Sequence, residues 1–273
     1  MSQTIFITGS STGLGRATAL LFAAKGWKVI ATMRQPDKET ELAQHPGIIC
    51  LPLDVTNREQ IATAARDGIA AAGPGGIDVL FNNAGYGLAG PFEGATDDQL
   101  TRQIDTNLLG VLRTTQAFLP HFREKRSGLI LTTTSIGGLV AFPFNSVYHA
   151  TKWALEGWSE SLAFELSAFN VRVKTVSPGG IRTDFTGRSL VLTTHDAYAA
   201  DMASTMRAFT DPARTAHASS PEQIAEVVYE AATDGKDQVR YLAGADAKAA
   251  YAQRLAVGDE TFRRAISQQF LGR

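Results

Sequence analysis

Short apolar runs alternate with helical patterns along the first two-thirds of the chain. Ile5-Phe6-Ile7, Lys28-Val29-Ile30-Ala31, Ile48-Ile49-Cys50-Leu51, Val79-Leu80-Phe81, Leu129-Ile130-Leu131 and Val171–Val176 read as six strands. Between them, Gly15 to Lys25 carries apolar residues at Ala19, Leu20, Phe22 and Ala23, a helical spacing. Further helices are predicted from Thr56 to about Ala72, from Thr96 to about Arg123 and from Ser146 to Phe169. Strands that read as apolar runs are buried on both faces, which is the habit of parallel sheets. Right-handed crossovers through the intervening helices then predict an α/β fold, a doubly wound parallel sheet with helices on both faces.

Local signals place several boundaries. Thr56-Asn57-Arg58-Glu59 reads as a capping box, with the Thr56 oxygen accepting from an early helix amide while Glu59 reaches back. Thr96-Asp97-Asp98-Gln99 starts the long helix, and Ser220-Pro221-Glu222-Gln223 restarts regular structure with a Ser N-cap, Pro at the first helical position and Gln at N3. From Thr183 to Ser219 the pattern breaks down. That stretch carries Phe185, Leu190, Leu192, Met202, Met206 and Phe209 in a polar background, and a lid over a substrate is expected at about 184–220. The last 40 or so residues are rich in Ala and charge and are expected to be largely helical. No linker divides the chain, so residues 1–273 are expected to form one domain.

Composition narrows the function. With 44% hydrophobic residues in 273 there is ample material for a core. The 26 basic and 27 acidic residues leave a formal charge of −1, which argues against nucleic-acid binding driven by bulk positive charge. Cys50 is the only cysteine, so neither a disulfide framework nor a Cys/His zinc cluster is expected. No apolar run reaches the 18 or so residues a membrane helix needs. No leader pattern precedes the first strand, and a cytoplasmic location is expected.

Candidate chemistry begins between the first strand and the first helix, at Thr8-Gly9-Ser10-Ser11-Thr12-Gly13-Leu14-Gly15. Gly9 permits a tight turn, Gly13 lets backbone approach a pyrophosphate, and Gly15 lets the helix pack closely on the sheet. The helix N-terminus adds unpaired N–H groups and the positive end of its dipole. Further along, Tyr148 and Lys152 are four apart and share a helix face. A phenol near pKa 10 is a poor acid or base at neutral pH, and an adjacent ammonium ion stabilises its phenolate. Ser135 follows a strand at the carboxyl edge of the sheet, where its hydroxyl can hold a substrate oxygen beside the phenol. Asn107 lies inside a helix that asparagine disfavours, and can position water towards Lys152.

The spacing Gly9-x-x-x-Gly13-x-Gly15, with Leu53-Asp54-Val55, Asn82-Asn83-Ala84-Gly85, Asn107, Ser135, Tyr148-His149-Ala150-Thr151-Lys152 and Pro178-Gly179 followed by Thr183, resembles the short-chain dehydrogenase/reductase family over residues 4 to about 184. The resemblance implies a single Rossmann-type nucleotide-binding domain and an oxidoreductase that interconverts a carbonyl and a secondary alcohol. It implies Tyr148 as general acid/base, Ser135 as the group orienting the carbonyl, Lys152 as modulator of the tyrosine and ligand of the nicotinamide ribose, and Asn107 as support for a proton relay. His149 departs from the small residue most common after the tyrosine and is expected to be packing or pocket wall. The cofactor is expected to contact Gly9, Ser11, Gly13, Leu14, Gly15, Arg34, Asp54, Val55, Asn82, Ala84, Gly85, Tyr148, Lys152, Pro178, Gly179, Ile181 and Thr183. NAD-preferring relatives carry an acid where Met33 stands. Here Arg34 follows it and can pair with a 2′-phosphate, so NADP(H) is expected over NAD(H).

The stretches Ser135–Leu139, Phe142–Asn145, Ala154–Gly157 and Glu160–Leu162 look like the hydroxysteroid and retinol dehydrogenase branch. An apolar small-molecule substrate is therefore expected, with Phe142, Phe144, Phe185 and Met202 as pocket candidates. A homodimer or homotetramer is expected, with Phe164 and Leu166 as candidate contacts. No metal site is expected. Two other classes stay open: a non-catalytic dinucleotide-binding regulator, and a sugar-nucleotide epimerase or dehydratase. The complete Ser135, Tyr148 and Lys152 set weighs against the first, and the small C-terminal remainder against the second.

Overall fold

All six expected strands form, and they join a parallel sheet to which a seventh strand is added. The computed structural model describes residues 2–182 and 189–273, with backbone alone at 213 and 214. The order begins β1 (Thr4–Thr8), α1 (Gly13–Ala24), β2 (Lys28–Met33), α2 (Glu41–Gln44), β3 (Ile48–Pro52), α3 (Arg58–Ala72) and β4 (Val79–Asn82). It continues with β5 (Gly87–Ala89), α4 (Asp97–Ile104), a π-turn (Asp105–Leu109), α5 (Gly110–Lys125), β6 (Gly128–Thr133), α6 (Ser146–Ser167) and β7 (Val171–Pro178). β8 (Leu190–Leu192), helices Ala199–Thr210 and Pro221–Thr233, β9 (Arg240–Ala243) and helices Ala245–Val257 and Asp259–Leu271 complete it.

The main sheet runs β3-β2-β1-β4-β6-β7-β9, and every pair in it is parallel. The chain winds from β1 outward to β3, then returns to β4 and winds the other way. A crevice therefore opens at the carboxyl ends of β1 and β4, where the connections part to opposite faces. Alternation within single strands builds the two core layers. Ile5 and Ile7 face Leu14 and Phe22 of α1 and Ile224 and Val228 of helix Pro221–Thr233. Phe6 faces the other way, into Ile61 of α3, Phe118 and Phe122 of α5 and Leu162 and Leu166 of α6. The Phe6 and Phe118 ring centroids are 4.8 Å apart.

The structure departs from the sequence expectations in three places. The cap of α3 is Asn57, whose side chain accepts from the Glu59 and Gln60 amides, because Thr56 Oγ1 is drawn to Asp54 Oδ1 at 2.7 Å. The long helix begun by the Thr96/Gln99 capping box is interrupted by the π-turn around Asn107. The C-terminal region is largely helical as expected, with Arg240–Ala243 extending the sheet beside β7. Leu166 is buried in the core, leaving Phe164, 81% exposed, as the accessible member of that pair. The capping box at Ser220 forms as expected. Among the described residues no helix is long and apolar enough to cross a membrane, and no cluster of side chains could hold a metal ion.

Candidate active site

The glycine turn is built as its spacing requires. Gly9 (φ 70°) and Gly13 (φ 55°) adopt left-handed conformations that favour glycine. A Cβ on Gly15 would stand 2.3 Å from the Gly9 carbonyl oxygen and 2.6 Å from Asn83 Nδ2, so α1 can start only on a glycine. Two side chains brace this turn. Thr8 Oγ1 accepts from the Asn83 and Ala84 amides at 3.0 Å each. Asn83 Nδ2 donates to the carbonyls of Thr8 and Gly9, both at 3.1 Å. The sequence motif Asn82–Gly85 contains Asn83 but gives it no role of its own. The structure turns Asn82 inward, donating to Thr115 Oγ1 at 2.9 Å, and gives Asn83 the bracing role. A carboxamide beside the small pair Ala84-Gly85 was the signal that could have found it.

The start of α1 carries no side-chain cap and no acidic residue in its first turn, so its amides face the crevice unneutralised. Leu14 is buried in the core, and only its backbone is offered to the cleft. Beside the turn lies a pocket of about 470 Å³ lined by Ser11, Thr12, Met33, Arg34, Gln35, Lys38 and Glu39. Arg34 is exposed and forms no ion pair among the described residues. Burial raises the Glu39 carboxyl, but the Leu42 amide and Arg16, paired with it at 2.9 Å, outweigh burial and hold it low. Met33 is buried at the end of β2, and Val55 packs against Gly110. The Asp54 carboxylate accepts from the Thr56 amide and hydroxyl at 2.9 and 2.7 Å.

Ser135, Tyr148 and Lys152 meet at the end of β6. Ser135 Oγ accepts from the Gly137 amide at 3.0 Å and stands near enough to the Tyr148 phenol to favour its ionised form. Lys152, 6% exposed, donates from Nζ to the Thr133 carbonyl at 2.8 Å and lies 5.8 Å from the centre of the Tyr148 ring. Burial raises the Tyr148 phenol above its ordinary value, and the Ser135 hydroxyl only partly opposes this. In the free chain, then, the shift expected from the nearby ammonium ion does not prevail. Burial pushes Lys152 down to about 8, against the opposing charge of Glu156. His149 is buried against Gly137 and Phe142 and pushed down to about 4, a neutral pocket wall at physiological pH.

Asn107 is 1% exposed, and both polar atoms of its amide are committed: Oδ1 accepts from the Tyr86 N–H at 3.0 Å and Nδ2 donates to the Tyr86 carbonyl at 2.7 Å. A Cβ on Gly85 would come 3.2 Å from Asn107 Oδ1, so the π-turn and the crevice wall fit together. At the end of β7, Gly180 N–H bonds Asp246 Oδ2 at 2.7 Å, and Ile181 pairs with Ser219. Gly179 packs against the same carboxylate, following Pro178. Thr183 and Phe185 lie outside the described residues. Phe142, Phe209 and Phe270 cluster with centroids 5.0 to 5.9 Å apart, joining the turn after β6 to helices Ala199–Thr210 and Asp259–Leu271. Phe144 stands 6.3 Å from the Tyr198 ring.

A parallel doubly wound sheet with a glycine turn at its switch point defines a nucleotide-binding enzyme of the Rossmann type. A sequence model of the family described as short chain dehydrogenase matches residues 3–190. Oxidoreductase BOA17 of Botryotinia fuckeliana is 36% identical over 96% of this chain and 97% of its own. Human 17-beta-hydroxysteroid dehydrogenase type 1 is 36% identical over 89% of this chain and 78% of its own. Among solved structures, a short-chain dehydrogenase from Streptomyces avermitilis superposes with a TM-score of 0.84 at 32% identity, covering 98% of this chain and 96% of that one. Another, from Burkholderia cenocepacia in complex with NADP, does so with 0.75 at 26% identity, covering 99% and 98%. The chain belongs to the short-chain dehydrogenase family. It is a dehydrogenase/reductase that acts on CH–OH groups of small molecules with a nicotinamide dinucleotide.

Proposed function

We propose that this enzyme uses NADP(H) in preference to NAD(H) to interconvert an apolar ketone or aldehyde and its alcohol at a Tyr148, Lys152, Ser135 and Asn107 site. The observation that carries the proposal is the meeting of the Ser135 hydroxyl, the Tyr148 phenol and the Lys152 ammonium group at the sheet edge, beside the open N-terminus of α1. The residues fit such a cofactor. A pyrophosphate would lie on the backbone of Gly9, Ser11, Gly13, Leu14 and Gly15, and the adenine against Asp54 and Val55. The walls of the cleft would come from Ala84 and Gly85, backed from the buried side by Asn82, the ribose contact from Tyr148 and Lys152, and the carboxamide contact from Pro178, Gly179, Ile181 and Thr183. Arg34 without an ion partner, and Glu39 already neutralised by Arg16, favour a 2′-phosphate in the adjoining pocket.

When bound, the reduced nicotinamide supplies the hydride that the carbonyl carbon receives. Ser135 donates a hydrogen bond to the carbonyl oxygen and polarises it. Tyr148 gives its phenolic proton to that oxygen, and the Lys152 ammonium group stabilises the phenolate left behind. Because Tyr86 occupies the Asn107 amide, Asn107 serves any proton-carrying water through the backbone of the π-turn. The substrate cover is assigned to the segment at about 184–220, of which residues 189–220 are described. In its described part, β8 pairs with β5, Phe209 of helix Ala199–Thr210 packs against Phe142 and Phe270, and Met202 of the same helix is half-buried. Phe142 and Phe144 complete an apolar wall that fits a bulky hydrocarbon better than a sugar. A homodimer or homotetramer goes with this reading, with Phe164 available to it.

The test follows NADPH absorbance with a panel of bulky ketones and aldehydes. Tyr148→Phe should cut kcat by about 10²–10⁴-fold while cofactor affinity stays within a few-fold. Turnover without net NADPH oxidation would point to an epimerase. Cofactor binding with no turnover on any carbonyl would point to a regulator.

A further inference from the structure

The face of α6 that carries Tyr148 and Lys152 continues one turn further to Glu156, a carboxylate with only 4% exposure. A buried carboxylate is costly unless it is paired and hydrogen-bonded. Here Oε1 accepts from Ser177 Oγ at 2.9 Å, and Oε2 from Arg240 Nε at 3.0 Å and from Thr175 Oγ1 at 3.3 Å. Ser177 Oγ in turn shares a 2.9 Å hydrogen bond with Thr134 Oγ1, on the residue next to Ser135. The turn after Ser135 sits directly on this part of the helix: a Cβ on Gly138 would meet the Lys152 carbonyl at 2.8 Å and Glu156 Cγ at 3.2 Å. Nothing in the proposed chemistry needs a carboxylate here, yet it is held by three strand residues.

The other groups around Lys152 leave Glu156 as its nearby anion. Tyr148 and the neutral His149 share its helix. From β6 come the Thr133 carbonyl and the Ser135 hydroxyl. On β7, Lys174 is turned away to Asp234, and Arg172 is exposed. The π-turn brings Asn107, uncharged, and Asp105, engaged by Arg113 at 3.2 Å. On α4, which also packs against α6, Asp97, Asp98 and Arg102 are exposed. Arg240 reaches Glu156 from β9 and is shared with Glu160 at 2.6 Å. From the C-terminal side, Arg254 lies over the Trp153 ring and pairs with Asp259.

We propose that Glu156 is a positioning residue for the reaction, its buried carboxylate keeping Lys152 an ammonium ion beside Tyr148 against the pull of burial. The inference rests on the role assigned to Lys152 above. It is consistent with Glu156 opposing the burial that lowers Lys152.

The test is the pH profile of kcat/KM for carbonyl reduction. Glu156→Gln keeps the size and the oxygen that Ser177 needs, and removes the charge. Its alkaline limb should move down by about one pH unit, a tenfold smaller ammonium fraction above the limb, with activity at pH 6 within about twofold of the parent. Glu156→Asp, which keeps the charge on a shorter stem, should restore the limb. A purely structural role, the ion pair with Arg240, predicts that Glu156→Gln loses stability and activity alike at every pH with the limb in place; that outcome would overturn the proposal. Arg240→Met removes the cation that shields Glu156 and should move the limb upward. It serves on its own if Glu156→Gln does not fold, and an unmoved or lowered limb there also refutes the idea. Lys152→Gln separates the two levels. If it retains parental activity, the role of Lys152 itself fails. If it is inactive while the Glu156 limb stays fixed, only the role of Glu156 fails.

Discussion

Lys174→Met tests the energetics of the sheet interior at its far end from the active site. Lys174 sits in β7 with its side chain 1% exposed, and its ammonium group uses every donor: Asp234 Oδ1 at 2.8 Å, the Ala231 carbonyl at 2.9 Å and Tyr241 Oη at 2.9 Å. Tyr241 Oη donates to Asp234 Oδ2 at 2.7 Å. Methionine fills the space of the stem but strands the carboxylate. Removing one partner of a buried pair costs about 3–5 kcal/mol. The Lys236 ammonium group, 3.6 Å from Asp234 Oδ2, keeps partial compensation, so the lower end, about 3 kcal/mol, is expected. For a chain of this size that is a melting temperature lower by roughly 5 °C.

The effect should depend on pH with a definite sign. Burial raises the Asp234 carboxyl, but the bonds from Lys174, Tyr241 and the Lys236 amide outweigh it and hold the group well below the usual carboxylate range. A depressed folded-state value contributes stability that is complete above the unfolded value, near 3.9, and lost as pH falls through the folded one. The gap between parent and variant should therefore be widest at pH 6–7 and narrow below about pH 3.5. Urea unfolding followed by circular dichroism at pH 7 and pH 3 measures it. A loss under about 1 kcal/mol at neutral pH, or a gap of equal size at both, would refute the reasoning.

Two further outcomes bear on the cofactor. Arg34→Ala should raise the KM for NADPH by about 10–100-fold, the worth of a charge-assisted hydrogen bond, while that for NADH scarcely changes; an equal effect on both would defeat the assignment. Gly15→Ala improves helix propensity yet places a methyl group 2.3 Å from the Gly9 carbonyl oxygen, so cofactor binding measured by fluorescence quenching should weaken at least about tenfold. Unchanged affinity would show that the turn yields.

What could be read from sequence follows the strength of each local signal. The runs at Ile5, Val79 and Leu129 are buried on both faces, so burial and propensity agree and the strands are plain. β9 escaped because Arg240-Tyr241-Leu242-Ala243 is a short edge strand set among alanines and charges, and its place is decided by pairing with β7. Asn57 displaced Thr56 as the cap because Asp54 competes for the threonine hydroxyl, a rivalry among three polar neighbours that no spacing rule resolves. Asn107 showed itself as a misfit in a helix, but not as a clamp on Tyr86, since that partner lies 21 residues away. Glu156 was silent: a glutamate on a long helix reads as solvated surface until Ser177 and Arg240 are folded over it.

The parting of the connections at β1 and β4 has a consequence for how such an enzyme can change over time. The nucleotide crevice exists because the chain reverses its winding there, whatever residues line the opposite rim. The rim proposed to meet the substrate is drawn from other places: the turn after β6, helix Ala199–Thr210 and the C-terminal helices. Substitution, insertion or replacement in those pieces leaves the winding untouched. Descendants of one redox engine can thus trade one client molecule for another without first losing the ability to exchange electrons.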